Sequence, residues 1–463
     1  MTLIKSISGI RGTIGGKTGE ALTPVDVVKF ASAFGTWAKQ RGAKKIVIGR
    51  DARISGEMVS NLVSNSLIGL GLNVVDLGLS TTPTVEIAVP IEKAGGGIIL
   101  TASHNPIQWN ALKLLNEKGE FISAQDGAEV LKIAEQESFD FAPVEKLGKY
   151  SQTNHYIKKH IDLIKKNKLV DVKAIQNAKF KIVVDAVNST GGTTVPLLLK
   201  ELGVKTIKKL YCEPTGKFPH NPEPLPENIK AISKEVKNGK YHLGIVVDPD
   251  VDRLALVQED GKPFGEEYTL VAVADYVLSK KKGNTVSNLS STRALRDVTE
   301  NLNGKYTAAA VGEVNVVNTM KETKAVIGGE GNGGVIFPEL HYGRDALMGI
   351  ALFLTHLAKK KMKASELRKT YPEYFISKNK IELTPSINVD EVLEKVKAKY
   401  QSEKINTIDG VKIDFEKEKE WVHLRKSNTE PIIRIYAESQ NEKKADALAE
   451  KMIDDIKSLI VIN

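Results

Sequence analysis

A single cysteine, Cys212, stands in a chain of 463 residues, so no intramolecular disulfide can form and a reducing compartment is the natural setting. The chain also lacks any run of about 18 apolar residues. Its start, MTLIKSISGIRG, has no long apolar stretch of the kind a secretory signal needs. These absences predict a cytoplasmic protein with no membrane partner. There is no low-complexity tract, and Gly and Pro are at ordinary levels, so extended disorder is excluded. What is there is a chain that is 41% apolar and too long for one core, which predicts three or four domains. The net charge is +9, from 66 basic and 57 acidic residues. A basic balance can signal nucleic-acid binding, but here the two signs are mostly interspersed. The densest basic stretch, Lys158–Lys168, has helical spacing with Ile161, Ile164 and Leu169 turned inward, and reads as a solvated helix face. No nucleic-acid partner is expected; anionic small substrates suit the charge.

Short apolar runs alternate with amphipathic stretches, the α/β pattern. KKIVIGRD (44–51), KFKIVVDA (179–186) and YHLGIVVDPD (241–250) share a polar lead-in, mostly β-branched residues and a closing Asp. KAVIGGEGNGG (324–334) is a fourth such run, closing on Gly and Glu. They read as buried parallel strands, at a spacing that permits three related α/β units. Helices are predicted over Pro24–Arg41, with Thr23 as N-cap and Pro24 at N1, and over Met58–Leu70. Two strand-like runs within Trp421–Ser439 and a helix over Glu442–Leu459 indicate a small α+β domain at the end. The expected division is 1–150, 151–255, 256–369 and 370–463.

Four stretches carry chemistry. TASHNP (101–106) follows a glycine-rich strand, so Ser103 is displayed at a strand tip with His104 beside it; an ordinary capped turn would look the same. DPDVDR (248–253) sets three carboxylates at i, i+2 and i+4 after an apolar strand, a repulsive cluster unless a hard divalent cation sits among them. GGEGNGG (328–334) lets backbone approach a ligand, while Glu330 and Asn332 offer partners to sugar hydroxyls. RKSNTEP (425–431), followed by Arg434, gathers a guanidinium fork, side-chain donors and turn N–H groups, the makings of a phosphate nest.

In this order, the motifs resemble those of the α-D-phosphohexomutases, the family of phosphoglucomutases, phosphomannomutases and phosphoglucosamine mutases. The resemblance runs through SGIRG (8–12), GRD (49–51), TASHNP, DPDVDRLA (248–255), GEGNGG (329–334) and RKSNTEPIIR (425–434). It implies four domains around a central cleft: three related α/β units and a C-terminal α+β domain. It further implies that Ser103 carries a phosphoryl group and that Asp248, Asp250 and Asp252, with Ser103, hold Mg²⁺. Arg11, Lys113, Arg253 and His104 would belong to the catalytic centre, Glu330 and Asn332 to the sugar site, and Arg425, Ser427, Asn428, Thr429 and Arg434 to the phosphate site. The implied partners are a hexose phosphate and a 1,6-bisphosphate intermediate; no oligomeric state is implied. The chain departs from the family at Gly334, where many members carry a His in the pattern GE-x-SGH, so Lys113, His104 and His341 all stay open as the acid/base. The GEGNGG variant resembles archaeal-type phosphoglucosamine mutases, so glucosamine phosphate is the expected substrate, with phosphomannomutase or phosphoglucomutase activity as the alternative. A sugar-phosphate phosphatase would not need the second phosphate nest, and a non-catalytic sensor would not need to keep Ser103 and every aspartate.

Overall fold

The computed structural model describes residues 1–6, 9–383, 387–426 and 432–461. The first unit is built on a seven-stranded sheet, in the spatial order Ile4–Ser6, Gly9–Thr13, Trp109–Leu115, Gly97–Leu100, Lys45–Arg50, Asn73–Leu79, Tyr150–Gln152. Its centre is parallel because helices connect the strands. Helix Pro24–Gln40 starts where the sequence predicts, with Thr23 and Asp26 satisfying each other's backbone N–H groups in a capping box. The next helix, Gly56–Gly69, begins two residues before the expected Met58, as Gly56 N closes a turn onto Arg53 O at 2.7 Å. The two helices cover one face of the sheet, and helix Thr82–Ile91 packs on the other.

The second and third units each carry a four-stranded sheet. The second runs Leu254–Gln258, Leu243–Val247, Lys181–Asp185, Thr206–Leu210. The third runs Tyr306–Ala309, Asn284–Asn288, Ala325–Glu330, Gly334–Ile336. Both keep a parallel core with one antiparallel edge strand, reached through a hairpin. The final unit is a five-stranded antiparallel sheet, Phe375–Glu382, Ile432–Ser439, Glu420–Lys426, Val411–Phe415, Lys404–Asn406, packed with helices Val389–Lys399 and Glu442–Val461. The chain therefore holds three α/β units and a smaller α+β unit, as its alternating pattern and changed ending indicate.

One correction concerns the basic stretch. Its helix spans Tyr156–Lys166 and buries Ile161 and Ile164, but Asn167 turns to extended geometry, so Leu169 lies beyond the helix and reaches the core from the following turn. Its lysines face acidic partners: Lys165 Nζ lies 2.5 Å from Glu201.

One apolar cluster runs from Ile161 to Tyr374 through both the second and third units, whereas the last unit has its own cluster, from Ile381 to Ile456. No helix among the described residues is long and apolar enough to cross a membrane.

Candidate active site

The carboxyl ends of the sheet strands converge. TASHNP leaves strand Gly97–Leu100, and DPDVDR joins two paired strands in which Val247 faces Leu254. The GGEGNGG motif is a tight hairpin with Glu330 paired to Gly334. In the last sheet Arg425 faces Arg434 across the ladder. Strand ends of α/β sheets are where such sites usually form.

Ser103 has φ +50°, a left-handed conformation costly for a residue with a Cβ. The turn is held from both sides. Ser103 N donates to Thr101 Oγ1 at 2.9 Å. Its carbonyl accepts from Arg53 at 2.5 Å. Arg53 is fully buried, and its guanidinium also reaches the carbonyls of Asn105 (2.7 Å), Pro106 (2.7 Å) and Trp109 (2.9 Å) while Asp51 neutralises it at 3.0 Å. The peptide is thus pinned and the hydroxyl left to act. Ser103 Oγ donates to Asp248 Oδ2 at 2.7 Å.

Asp248, Asp250 and Asp252 are fully buried, each with a carboxylate oxygen within 4.8 Å of the others'. Burial, then repulsion from Asp252 and Asp250, drives the Asp248 carboxyl well above the usual range. Asp250 is held below it: burial works against ionisation, but the Lys113 ammonium at 2.7 Å and the Thr82 hydroxyl at 2.5 Å outweigh it. Lys113 in turn lies above the ordinary lysine value, because Asp250 and Asp252 (3.5 Å) outweigh its burial. Asp250 Oδ1 and Asp252 Oδ1 are buried with no hydrogen-bond partner among the described residues. Orphaned carboxylate oxygens beside a serine hydroxyl make an all-oxygen donor set that fits a hard divalent cation.

Ser103 and Lys113 line a cleft of about 910 Å³, with the three aspartates buried behind them. Arg11, Ser103, His104, Lys113, Arg253, Glu330, Asn332, Arg425 and Arg434 all line it, so the structure brings together every expected site residue that it describes. Ser427, Asn428 and Thr429 lie outside the described residues. Burial lowers Arg11 from the ordinary arginine value. Arg253 sits 3.4 Å from Glu223, a further wall of the cleft. Glu330 accepts from Asn288 at 2.8 Å and from Arg344 at 3.0 Å, and Asn332 Oδ1 accepts from Gly334 N at 3.2 Å.

The three acid/base options separate. His104 Nδ1 is 3.4 Å from Ser103 Oγ, and burial and the nearby Arg253 and Arg344 push its pKa down to about 3. His341 is not among the described residues lining the cleft. It is tied instead to Asp345 (3.2 Å) and Glu86 (3.2 Å), and Asp345 also pairs with His160 at 2.9 Å. Lys113 lines the cleft, its ammonium held by Asp250 and Asp252. Sequence reasoning missed Arg53, Thr82, Glu313 and Arg344. The one signal for the two arginines was GRD, which occurs at 49–51 just before Arg53 and again at 343–345.

With a buried serine–aspartate centre facing a cation-lined cleft between α/β units, the molecule has the layout of a phosphosugar mutase. Four models of the phosphoglucomutase/phosphomannomutase family match in order: the alpha/beta/alpha domains I, II and III over residues 3–141, 158–261 and 265–374, and the C-terminal domain over 380–455. The chain belongs to this family. It is 37% identical over 442 residues to a phosphoglucomutase/phosphomannomutase of Thermococcus kodakarensis, covering 94% of this chain and 95% of that one. It is 30% identical over 465 residues to a phosphoglucosamine/phosphogalactosamine mutase of Sulfurisphaera tokodaii, covering 98% of each. Among solved structures, a phosphoglucomutase/phosphomannomutase family protein from Burkholderia thailandensis superposes with a TM-score of 0.83 at 25% identity, covering 98% of both chains.

Proposed function

We propose that this phosphohexomutase interconverts glucosamine 6-phosphate and glucosamine 1-phosphate in the cytoplasm, through phosphorylated Ser103 and a 1,6-bisphosphate intermediate. The observation that carries the reading is the pinned Ser103, 2.7 Å from Asp248, in the same cleft as Arg425 and Arg434. A serine hydroxyl is a poor nucleophile toward a phosphate ester, so storing the group on Ser103 divides the task into two transfers. In the first, the sugar O–P bond forms as the Ser103 Oγ–P bond breaks, and the sugar hydroxyl proton passes to a base in the cleft. The bisphosphate turns end for end; in the second transfer the Ser103 Oγ–P bond forms again as the other phosphate's bond to its sugar oxygen breaks, and that oxygen takes the proton back.

Asp248, Asp250 and Asp252, with the Ser103 oxygen, would hold Mg²⁺, which neutralises charge on the moving phosphoryl group. Arg11, Arg253 and Lys113 add fixed positive charge in a site shielded from water. Arg425 and Arg434 face each other across a ladder, with Asp409 paired to Arg425 at 2.9 Å, and a phosphate would supply the second anion that two guanidinium groups can hold. That subsite reads phosphate and can hold either end of the sugar. Glu330 and Asn332, on the third unit, read hydroxyls.

Support for glucosamine comes from the GEGNGG loop and the Sulfurisphaera relative; the Thermococcus relative's name keeps glucose and mannose phosphates as the second reading. The deciding experiment follows 1-phosphate formation from glucosamine, glucose and mannose 6-phosphates with Mg²⁺, alongside inorganic phosphate release. The highest kcat/KM on glucosamine 6-phosphate, with little free phosphate, is expected. A preference for another sugar overturns the substrate, and stoichiometric phosphate release overturns the mutase.

A further inference from the structure

The family's sugar loop commonly ends in a histidine, and this chain has Gly334 there. The structure shows what takes up the room. A Cβ built on Gly334 would lie 2.3 Å from Arg344 Cδ, far inside contact distance, and 3.0 Å from Asn332 Oδ1. Gly334 has no left-handed φ to explain it. It is glycine because the Arg344 stem crosses over it.

Arg344 does not swing freely out of the way. Its guanidinium is a three-way clamp: NH2 donates to Asp252 Oδ2 at 2.7 Å, NH1 to Glu330 Oε2 at 3.0 Å, and Nε to Glu313 Oε2 at 3.0 Å. Its backbone N donates to the other Glu313 oxygen at 2.9 Å. All three carboxylates are buried or nearly so, and their charges hold the guanidinium in place. Asp252 belongs to the aspartate cluster of the second unit, and Glu330 to the sugar loop of the third. A lysine, being a single point, could not hold all three at once.

We propose that Arg344 is a positioning residue that locks the third aspartate of the metal loop to the sugar loop, and that Gly334 serves to admit it. The two positions form one device in place of the family histidine. The clamp fixes which Asp252 oxygen Arg344 takes, leaving the orphaned Oδ1 for the cation, and ties the place of Glu330 to the same contact. Partners of ligating carboxylates typically change metal affinity or activity by about 10–100-fold when removed. This inference rests on the assignment of Asp248, Asp250 and Asp252 as metal ligands.

The test is a double-mutant cycle read by Mn²⁺ binding, followed by electron paramagnetic resonance on the unphosphorylated protein, with kcat and KM as a second readout. Arg344→Ala, which removes the stem that crosses Gly334, is expected to weaken Mn²⁺ binding about 10–100-fold. Gly334→Ala, which adds one methyl group, is expected to weaken it in the same direction by displacing the Arg344 stem. The double variant should bind no worse than the weaker single variant, since the methyl group has nothing left to displace. If Arg344→Ala does not fold, Arg344→Ser, which ends short of the Cδ position, takes its place in the cycle. Unchanged Mn²⁺ binding in the Arg344 variant, or losses that multiply in the double variant, would overturn the proposal. Failure of the wild-type protein to bind Mn²⁺ would instead overturn the assignment of the aspartates.

Discussion

The Ser103 hydroxyl lies against Asp248, and what places it is the arginine beneath its turn. Arg53 spends its donors on four backbone carbonyls of one turn and on Asp51. Arg53→Lys keeps the charge and loses the fork, so kcat should fall by about 10–100-fold. An unaltered kcat would show that the turn holds itself. Asp250 tests the cation site from the other side. In Asp250→Asn the residue should keep its contact with Thr82 but lose a ligand charge and the pairing with Lys113. Mg²⁺ needed for half-maximal activity should rise at least about tenfold with little change in thermal stability. Equal Mg²⁺ dependence in the two proteins would place the ion elsewhere. Ser103, the three aspartates, Glu330 and Arg425 share one trait: each lies in a short motif after an apolar run, where a polar cluster looks out of place, whereas Arg11 and Lys113 were legible only through the family resemblance. Arg344 and Thr82 have no such context. They reach the aspartates from 92 and 168 positions away, and only the folded arrangement brings them there.

At the scale of elements, strands were legible and their pairings were not. KIVIGR, KIVVD and LGIVV are buried along almost their whole lengths, and such runs announce parallel strands without saying which neighbours they take. Helix Pro24–Gln40 was legible to within a residue because Thr23, Pro24 and Asp26 mark its start chemically. Helix Tyr156–Lys166 shows what amphipathicity leaves out. Its basic face was plain, but the role of His160 on its buried side depends on Thr84 of helix Thr82–Ile91 and on Asp345, which also holds His341 beside Glu86 of that helix. This junction makes stability depend on pH. His341 is raised to about 10, as Asp345 and Glu86 outweigh its burial, and burial pushes Glu86 up to about 8. Both groups bind protons more tightly folded than unfolded. Their stabilisation is therefore complete below their ordinary values and is lost as pH rises, through about 8 for Glu86 and about 10 for His341. The unfolding temperature should fall between pH 7 and pH 10. His341→Gln should lower it at pH 7, by the equivalent of about 1–3 kcal/mol, and flatten the later fall. A wild-type curve with no decline over this range would contradict the account.

Across the whole molecule, the second and third units share a core and should move as one body, while the last unit meets them mainly through polar groups. Arg296 pairs with Glu416 at 2.9 Å, Lys412 Nζ donates to Leu289 O at 2.8 Å, and Ser290 bonds His423 at 2.9 Å. Polar junctions between domains commonly permit relative motion. Turning a bisphosphate without losing it calls for a cleft that closes. Fluorescence energy transfer between labels in the first and last units should therefore rise when glucose 1,6-bisphosphate is added; an unchanged signal at saturating ligand would argue for a rigid cleft. All of this serves one claim, that the phosphoryl group passes through Ser103. The most direct test is to incubate the protein with Mg²⁺ and a hexose 1,6-bisphosphate, locate the added phosphate by peptide mass, and then chase it with unlabelled hexose 6-phosphate. One phosphate on Ser103, lost to the sugar in the chase, and a Ser103→Ala variant without turnover are the expected results. Phosphate on another residue, or near-normal turnover by Ser103→Ala, would contradict the account.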